Sequence, residues 1–409
     1  MKKVFERLNK PIVRGSIILL VTFGIFNILN YIFHFTMLHL LTVAEYGVVA
    51  TLFSFIYIFG IFTESIQTVV TKYTSNEKNE GKLKNIIKRA SRRAFFVSFL
   101  FFSAYLLISL VLSPLLKIPY GLLAVTGIII FTSFLLPITR GVMQGRQRFT
   151  ALGRSMVLES VVKLALGILL VYGGWKVYGA MIASVLGVVL ALVFSFFDRE
   201  IRTIFASKEK TAPTPQIWKY SLPVFILTFT VLAFYSIDVF IAKVVFDADT
   251  AGYYALAAII AKTIFFLTYP IGKAMFPLSA EGSGKKNPGT FKHAIILLLL
   301  CIVAALLFIY FFPELLIWIS SGKSAPLSIS ILFILSIGTS ALALSNMTIL
   351  YKLSQGNVRG YGFALAFLAL EILLLFLFSA NLQQFALAFL TANVCFLWWV
   401  TTFLEGEKK

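Results

Sequence analysis

The chain has 409 residues, 59% of them hydrophobic and only 13% charged, with a formal net charge of +19. A soluble domain carries about 25% charged residues, so this chain has too little polar surface to cover a globule and a water-soluble fold is excluded. Cys301 and Cys395 both sit in apolar runs, which leaves no disulfide framework and no metal-ligand spacing; no metal and no cofactor are expected.

Runs of about 20 apolar residues read as membrane-spanning helices. Twelve are predicted, at 14–40, 46–72, 93–113, 121–143, 155–172, 177–197, 218–243, 251–276, 293–319, 326–351, 360–378 and 383–403. The first follows MKKVFERLNKPIVRG, which imitates the basic region of a signal peptide. The apolar run behind it is too long for one and no small-residue cleavage site closes it, so it reads as an uncleaved span. Between the spans, the tails and alternate loops hold 29 of the 36 Lys and Arg, whereas the opposite loops contain only Lys117, Lys176, Lys243 and Lys323. Basic residues accumulate on the cytoplasmic side, which predicts cytoplasmic N- and C-termini and an even number of spans. The same rule accounts for the net charge without a nucleic-acid partner. The segment KLKNIIKRASRRAF (82–95) is expected to lie on the anionic inner leaflet or to extend the third span.

A shift of 205 residues superposes the halves over their first two spans: IVRGSI (12–17) meets IWKYSL (217–222), and AEYGVVA (44–50) meets DTAGYYA (249–255). Later, MQGRQR (143–148) and LSQGNVR (353–359) each give Gln-Gly-x-x-Arg at the cytoplasmic end of a fourth span. Six spans per half is an even number, so both halves enter from the same side. The expectation is an all-α membrane protein of 12 transmembrane helices in two parallel six-helix lobes, residues 1–197 and 218–409, related by a pseudo-twofold axis along the membrane normal. The polar, Pro-containing segment 198–217 is the cytoplasmic linker, and a substrate path is expected between the lobes near the midplane.

Within the eighth span, YYALAAIIAKTIFFLTYPIGKAMFPLSA, Lys262 lies roughly 16 Å along the helix. A lysine at that depth costs about 2.5–3.5 kcal/mol and normally faces an interior or a cavity. Phe266, Tyr269 and Lys273 follow on the same face. The shift carries Lys262, Tyr269 and Lys273 onto Tyr57, Glu64 and Thr68 of the second span, with Gln67 beside them. The first span has Asn27, Asn30 and His34 on one face, and the seventh has Thr228, Tyr235 and Asp238. Four spans therefore have a wet side, and a hydrated cavity containing Lys262 is the economical account. The plainer alternative pairs Lys262 with Asp238 or Glu64 to hold the lobes together.

Other polar groups read more plainly. The Asp-x-Asp of FDADT (246–250) occupies a turn too short for a catalytic domain, and Asp249 or Thr250 is expected to cap the next helix. Thr42-Val-Ala-Glu45 reads as a capping box. Glu159 and Lys163 form an i,i+4 pair near the cytoplasmic end of their span, expected to neutralise each other. Glu371, halfway along the eleventh span, has no evident partner.

The Glu-Tyr-Gly of LLTVAEYGVVATLFSF after a short outer turn, its second-half counterpart DTAGYYALA, and the basic residue a turn or two later resemble the polysaccharide-biosynthesis flippases of the multidrug/oligosaccharidyl-lipid/polysaccharide exporter superfamily. The resemblance covers essentially all twelve spans. It implies transport of an undecaprenyl- or dolichyl-linked oligosaccharide across the cytoplasmic membrane, through a central and often cationic cavity lined by spans 1, 2, 7 and 8. Lys262 matches the basic position of the eighth span, and Lys273 and Arg14 are further carry-overs. The two extra spans of lipid II flippases are absent.

A diphosphate-linked sugar cannot cross hydrocarbon unaided, because unpaired polar groups there cost several kcal/mol each. An ammonium is a suitable point-charge anchor for phosphate. The expected function is therefore a lipid-linked oligosaccharide flippase in which Lys262 binds the pyrophosphate. Its partners are the cargo, membrane lipid and a glycan polymerase or glycosyltransferase. A multidrug and toxin extrusion antiporter, coupled to protons or sodium, is the alternative, weakened because residues 13–41 contain no Asp or Glu. A membrane polymerase or glycosyltransferase is disfavoured by outer loops of about a dozen residues at most.

Overall fold

The structure, a computed structural model, describes residues 10–41, 43–77, 79–116, 118–206, 218–280, 288–321, 325–356 and 358–406. These residues are almost entirely helical and fall into two compact units. The first is Ile17–Ile217; the second is Trp218–Lys409 with the N-terminal segment ending at Ser16.

The first unit contains helix α1 (Lys10–Leu40) from Ile17 onward, and α2 (Val43–Asn76), α3 (Glu80–Leu116), α4 (Tyr120–Thr132), α5 (Leu136–Gly145), α6 (Phe149–Leu170), α7 (Lys176–Ser195) and α8 (Arg199–Ala206). Helix α3 has 37 residues, roughly 55 Å at 1.5 Å per residue, against a hydrocarbon thickness of about 30 Å. Segment 82–95 is thus a helical extension of the third span. Outward Phe95, Phe96, Phe99, Leu100, Leu107 and Val111 on α3 are all exposed, a surface suited to lipid rather than water.

The predicted fourth span is two helices. Pro137 at the start of α5 lacks an N–H and crowds the preceding turn, so the chain breaks at Ser133–Leu135. Thr63 of α2 donates to the Ser133 carbonyl at 3.0 Å, satisfying a backbone group at the break. Gly141 and Gly145 form a small-x-x-x-small face on α5. A Cβ on Gly141 would stand 2.9 Å from the Gln67 carbonyl, and one on Gly145 would stand 2.8 Å from that of Thr71. Only glycine lets α5 approach α2 this closely.

Helices α6 and α7 are joined through the π-helical turn Val171–Trp175, where Gly174 has φ +89°. They run antiparallel: Gly179 lies against Leu170, and Gly187 lies against Glu159 and Lys163. The linker begins as a helix tied to this unit, since Arg148 pairs with Asp198 at 3.1 Å and Arg146 with Glu200 at 3.2 Å. Residues 207–217 lie outside the described ones.

The second unit contains α9 (Trp218–Val245), α10 (Ala248–Ala280), α11 (Pro288–Phe311), α12 (Pro313–Ser321), α13 (Pro326–Gln355), α14 (Phe363–Leu377) and α15 (Leu382–Thr402). Pro313 divides the predicted ninth span into α11 and α12. The α9–α10 turn is capped by Asp247, whose Oδ1 accepts from the Thr250 N–H at 3.0 Å; Thr250 is thus the residue capped, and the expected cap at Asp249 falls on a side chain outside the described ones. Equivalent helices pack alike in the two units: α5 on α2 and α13 on α10, α7 on α6 and α15 on α14. Strands β1 (Val358–Arg359) and β2 (Glu405–Gly406) form an antiparallel ladder. Beside it the Lys352 ammonium reaches the carbonyls of Val400 and Leu404, both at 2.5 Å.

Among the described residues nine helical stretches are long and apolar enough to cross a membrane, and Phe363–Leu377 is a shorter apolar helix. One of the nine, Phe149–Ser195, contains two predicted spans folded back at Gly174. Val43–Asn76, with Glu64, Gln67 and several threonines along it, is not among them. The chain is a multi-pass, all-α membrane protein.

Candidate functional site

In the second unit four ionisable side chains converge in the interior. Asp238 of α9 is wholly buried; its Oδ1 accepts from Lys262 Nζ at 2.7 Å and its Oδ2 from the Tyr254 hydroxyl at 3.0 Å. Tyr254 and Lys262 are eight residues apart on α10, two turns and hence on one face. The Tyr235 ring of α9 lies 5.1 Å from the same ammonium. Glu371 of α14 is also wholly buried, and neither of its carboxylate oxygens has a hydrogen-bond partner among the described residues. It interacts electrostatically with Asp238 and Lys262. Asp238 thus matches the Lys262 ammonium charge for charge. Of the two carboxylates considered for Lys262, Asp238 is its partner.

The first unit has the opposite balance. Arg140 of α5, counted from sequence as a loop residue, is buried and donates to Glu159 of α6 at 2.6 Å and to the Ser155 carbonyl at 3.2 Å. Glu159 thus serves Arg140, and the expected Glu159–Lys163 pair is not made. Lys163 instead donates to Asn30 Oδ1 of α1. Its ammonium lies 4.6 Å from the Phe33 ring and 5.3 Å from the Phe53 ring. No described carboxylate lies within 4 Å of it. Cation–π contacts contribute about 0.5–2 kcal/mol, against about 2.5–3.5 kcal/mol for a charged lysine at mid-bilayer. Among the described residues its ammonium is thus left without a hydrogen-bonded counter-ion, Glu159 acting on it only through space. Apolarity alone starts this span at 155, which sets Lys163 near the cytoplasmic end. Helix α6 starts at Phe149, which puts Lys163 roughly 21 Å along it.

The remaining predicted residues fall as follows. His34 packs edge-on against Phe53 with centroids 4.8 Å apart, beside Lys163. Asn27 is exposed and Asn30 half-buried. Gln67 is buried and donates to Gln144 Oε1 at 2.7 Å, holding α2 against α5. Glu64 is half-buried. Lys273 is buried with its ammonium 5.1 Å from the half-buried Tyr269 ring one turn away. Arg14 and Tyr57 lie on α1 and α2, their side chains outside the described set, as is Thr42 of the expected capping box. Glu45 pairs with Lys176 at 3.0 Å. Sequence reasoning missed Tyr254, whose eight-residue spacing from Lys262 was the available signal. It also missed Arg140, Phe33 and Phe53, whose roles depend on tertiary packing.

A family model described as Polysaccharide biosynthesis protein matches residues 12–283, from α1 through α10. The chain belongs to the polysaccharide biosynthesis protein family. A search of the curated proteins found no matching sequence. Among solved structures, this family member is similar to a MATE transporter in the bent conformation, with a TM-score of 0.81 at 15% identity over 98% of this chain and 97% of the other. It is similar to MATE in complex with MaL6, with a TM-score of 0.77 at 15% identity over 98% of each chain. A MOP superfamily transporter from Pyrococcus furiosus, for which reverse polarity of the binding pocket was taken to suggest a different function, gives a TM-score of 0.75 at 16% identity over 98% of this chain and 96% of that one. At these identities the likeness establishes the fold.

Proposed function

We propose that this polysaccharide biosynthesis family member is a flippase. It moves a polyprenyl-(pyro)phosphate-linked oligosaccharide across the cytoplasmic membrane by alternating access, for cell-surface polysaccharide or glycan assembly. In this reading the chain has twelve spans in two parallel six-helix lobes with both termini cytoplasmic, and it works beside a glycan polymerase or glycosyltransferase. The observation that carries the reading is the placement of ammonium groups at mid-helix depth inside a family tied to polysaccharide synthesis. An anionic cargo gives those charges a purpose that structural neutralisation does not require. Lys262 becomes available to phosphate in a state that separates it from Asp238, while Tyr235, Tyr269, Lys273, Asn27, Asn30, His34, Tyr57, Glu64, Gln67 and Arg14 supply polar and aromatic contacts to the headgroup.

The MATE-type antiporter remains the second reading, favoured by one observation: the buried carboxylates Asp238 and Glu371 offer a place for a coupling cation. Proteoliposomes loaded with fluorescent lipid-linked oligosaccharide separate the two. Movement between leaflets faster than in protein-free vesicles supports the flippase. No such movement, together with cation-driven efflux of a dye, replaces it with the antiporter.

A further inference from the structure

Two of the buried lysines, Lys262 and Lys163, differ in what neutralises them, and this difference locates an anion. Lys262 is matched by Asp238 at 2.7 Å. Lys163 has a neutral amide, Asn30, and two aromatic faces. The nearby carboxylate, Glu159, is taken by Arg140 at 2.6 Å. An ammonium has three donors, and one reaches Asn30. The aromatic faces stabilise the charge without cancelling it, because the ring quadrupole carries no net charge.

The approach to this ammonium is polar. Asn27, Asn30 and His34 follow one another at helical spacing on α1, exposed at Asn27 and half-buried at Asn30 and His34. On the other side the site is walled by α7, where Gly187 brings its backbone against Lys163. Any side chain at Gly187 would press on the lysine stem and on the Glu159 carbonyl, 2.7 Å from an added Cβ. The lysine is thereby directed toward α1.

We infer that Lys163, with Asn30 as a neutral co-ligand and Phe33 and Phe53 as its support, is an oxyanion-binding site of the first unit that receives the diphosphate of the cargo. The assignment rests on the flippase reading for the identity of the cargo, but not for the presence of the anion site. The shared chemistry is a (di)phosphate, carried on a lipid or free in solution, and the ammonium serves as a point-charge anchor.

The test uses the full chain in nanodiscs, with farnesyl diphosphate, inorganic pyrophosphate and farnesol as probes. In the unmodified protein, lysine acylation is followed by mass spectrometry. The expected result is that farnesyl diphosphate protects Lys163 from acylation while farnesol does not. Protection by inorganic pyrophosphate alone makes the site one for a free anion and overturns the cargo assignment. Protection by neither anion overturns the site. In parallel, Lys163→Met should weaken farnesyl diphosphate binding at least tenfold and Lys163→Arg should largely restore it, while Lys176→Met, at the lysine paired with Glu45, changes it less than threefold. An equal loss in Lys163→Met and Lys176→Met, or none in Lys163→Met, refutes the proposal without touching the liposome assay for flipping. Conversely, absent flipping with intact Lys163 protection removes the flippase reading alone.

Discussion

Asp238 of α9 and Lys262 of α10 meet at 2.7 Å in the interior of the second unit, with the Tyr254 hydroxyl on the other carboxylate oxygen. Such a pair is a poor guide to net stability, since desolvation offsets much of the Coulomb attraction, yet removing one member leaves an unmatched charge. Asp238→Asn should therefore destabilise the protein by about 3–5 kcal/mol. The double variant Asp238→Asn/Lys262→Met should recover most of that loss. Thermal unfolding in nanodiscs measures both; a double variant as unstable as the single one would show that the pairing is incidental.

Glu371 gives the contrasting expectation. Neither of its carboxylate oxygens has a partner among the described residues, so Glu371→Gln removes no hydrogen bond. Its effect on stability should stay within about 1 kcal/mol, the net worth of a typical hydrogen bond. A loss comparable with Asp238→Asn would mean that Glu371 holds a structural bond.

The geometry around Glu159 is open to a double-mutant cycle. Glu159 touches Arg140 at 2.6 Å, whereas Lys163, one turn away on the same helix, points to Asn30. Coupling between Glu159→Gln and Arg140→Met should be about 1 kcal/mol or more. Coupling between Glu159→Gln and Lys163→Met should be smaller. The reverse order would restore the i,i+4 pair that local spacing suggests.

Close helix packing makes a fourth prediction. Gly145→Ala would set its methyl 2.8 Å from the Thr71 carbonyl and against the Thr74 hydroxyl, and should cost about 1–3 kcal/mol as an overpacked contact. Gly24→Ala on α1 meets nothing within 4 Å and should be neutral or stabilising by up to about 1 kcal/mol. Equal melting temperatures for the two variants would contradict the α2–α5 packing described above.

The sequence is informative where one helix carries the whole signal. Lys262 can be placed deep by counting residues, because a span length fixes depth. Which carboxylate meets it depends on the register of the α9–α10 hairpin, set by Asp247 at the turn, and this choice was open between Asp238 and Glu64. Lys163 was misplaced for a related reason. FTALGR (149–154) looks like a basic loop but forms the first turns of α6, and six residues of error at a helix start become roughly 9 Å of depth. The breaks at Pro137 and Pro313 and the pairing of Gln67 with Gln144 were also out of reach, because apolar periodicity marks spans but not how they meet.

The β1–β2 ladder and the Lys352 ammonium fasten the end of α15 to the end of α13. These two helix termini are stapled into one body, so a fluorophore at Arg359 and another at Phe403 would report a constant separation throughout a working cycle. Such a pair is an internal ruler against which displacements elsewhere in the molecule can be calibrated.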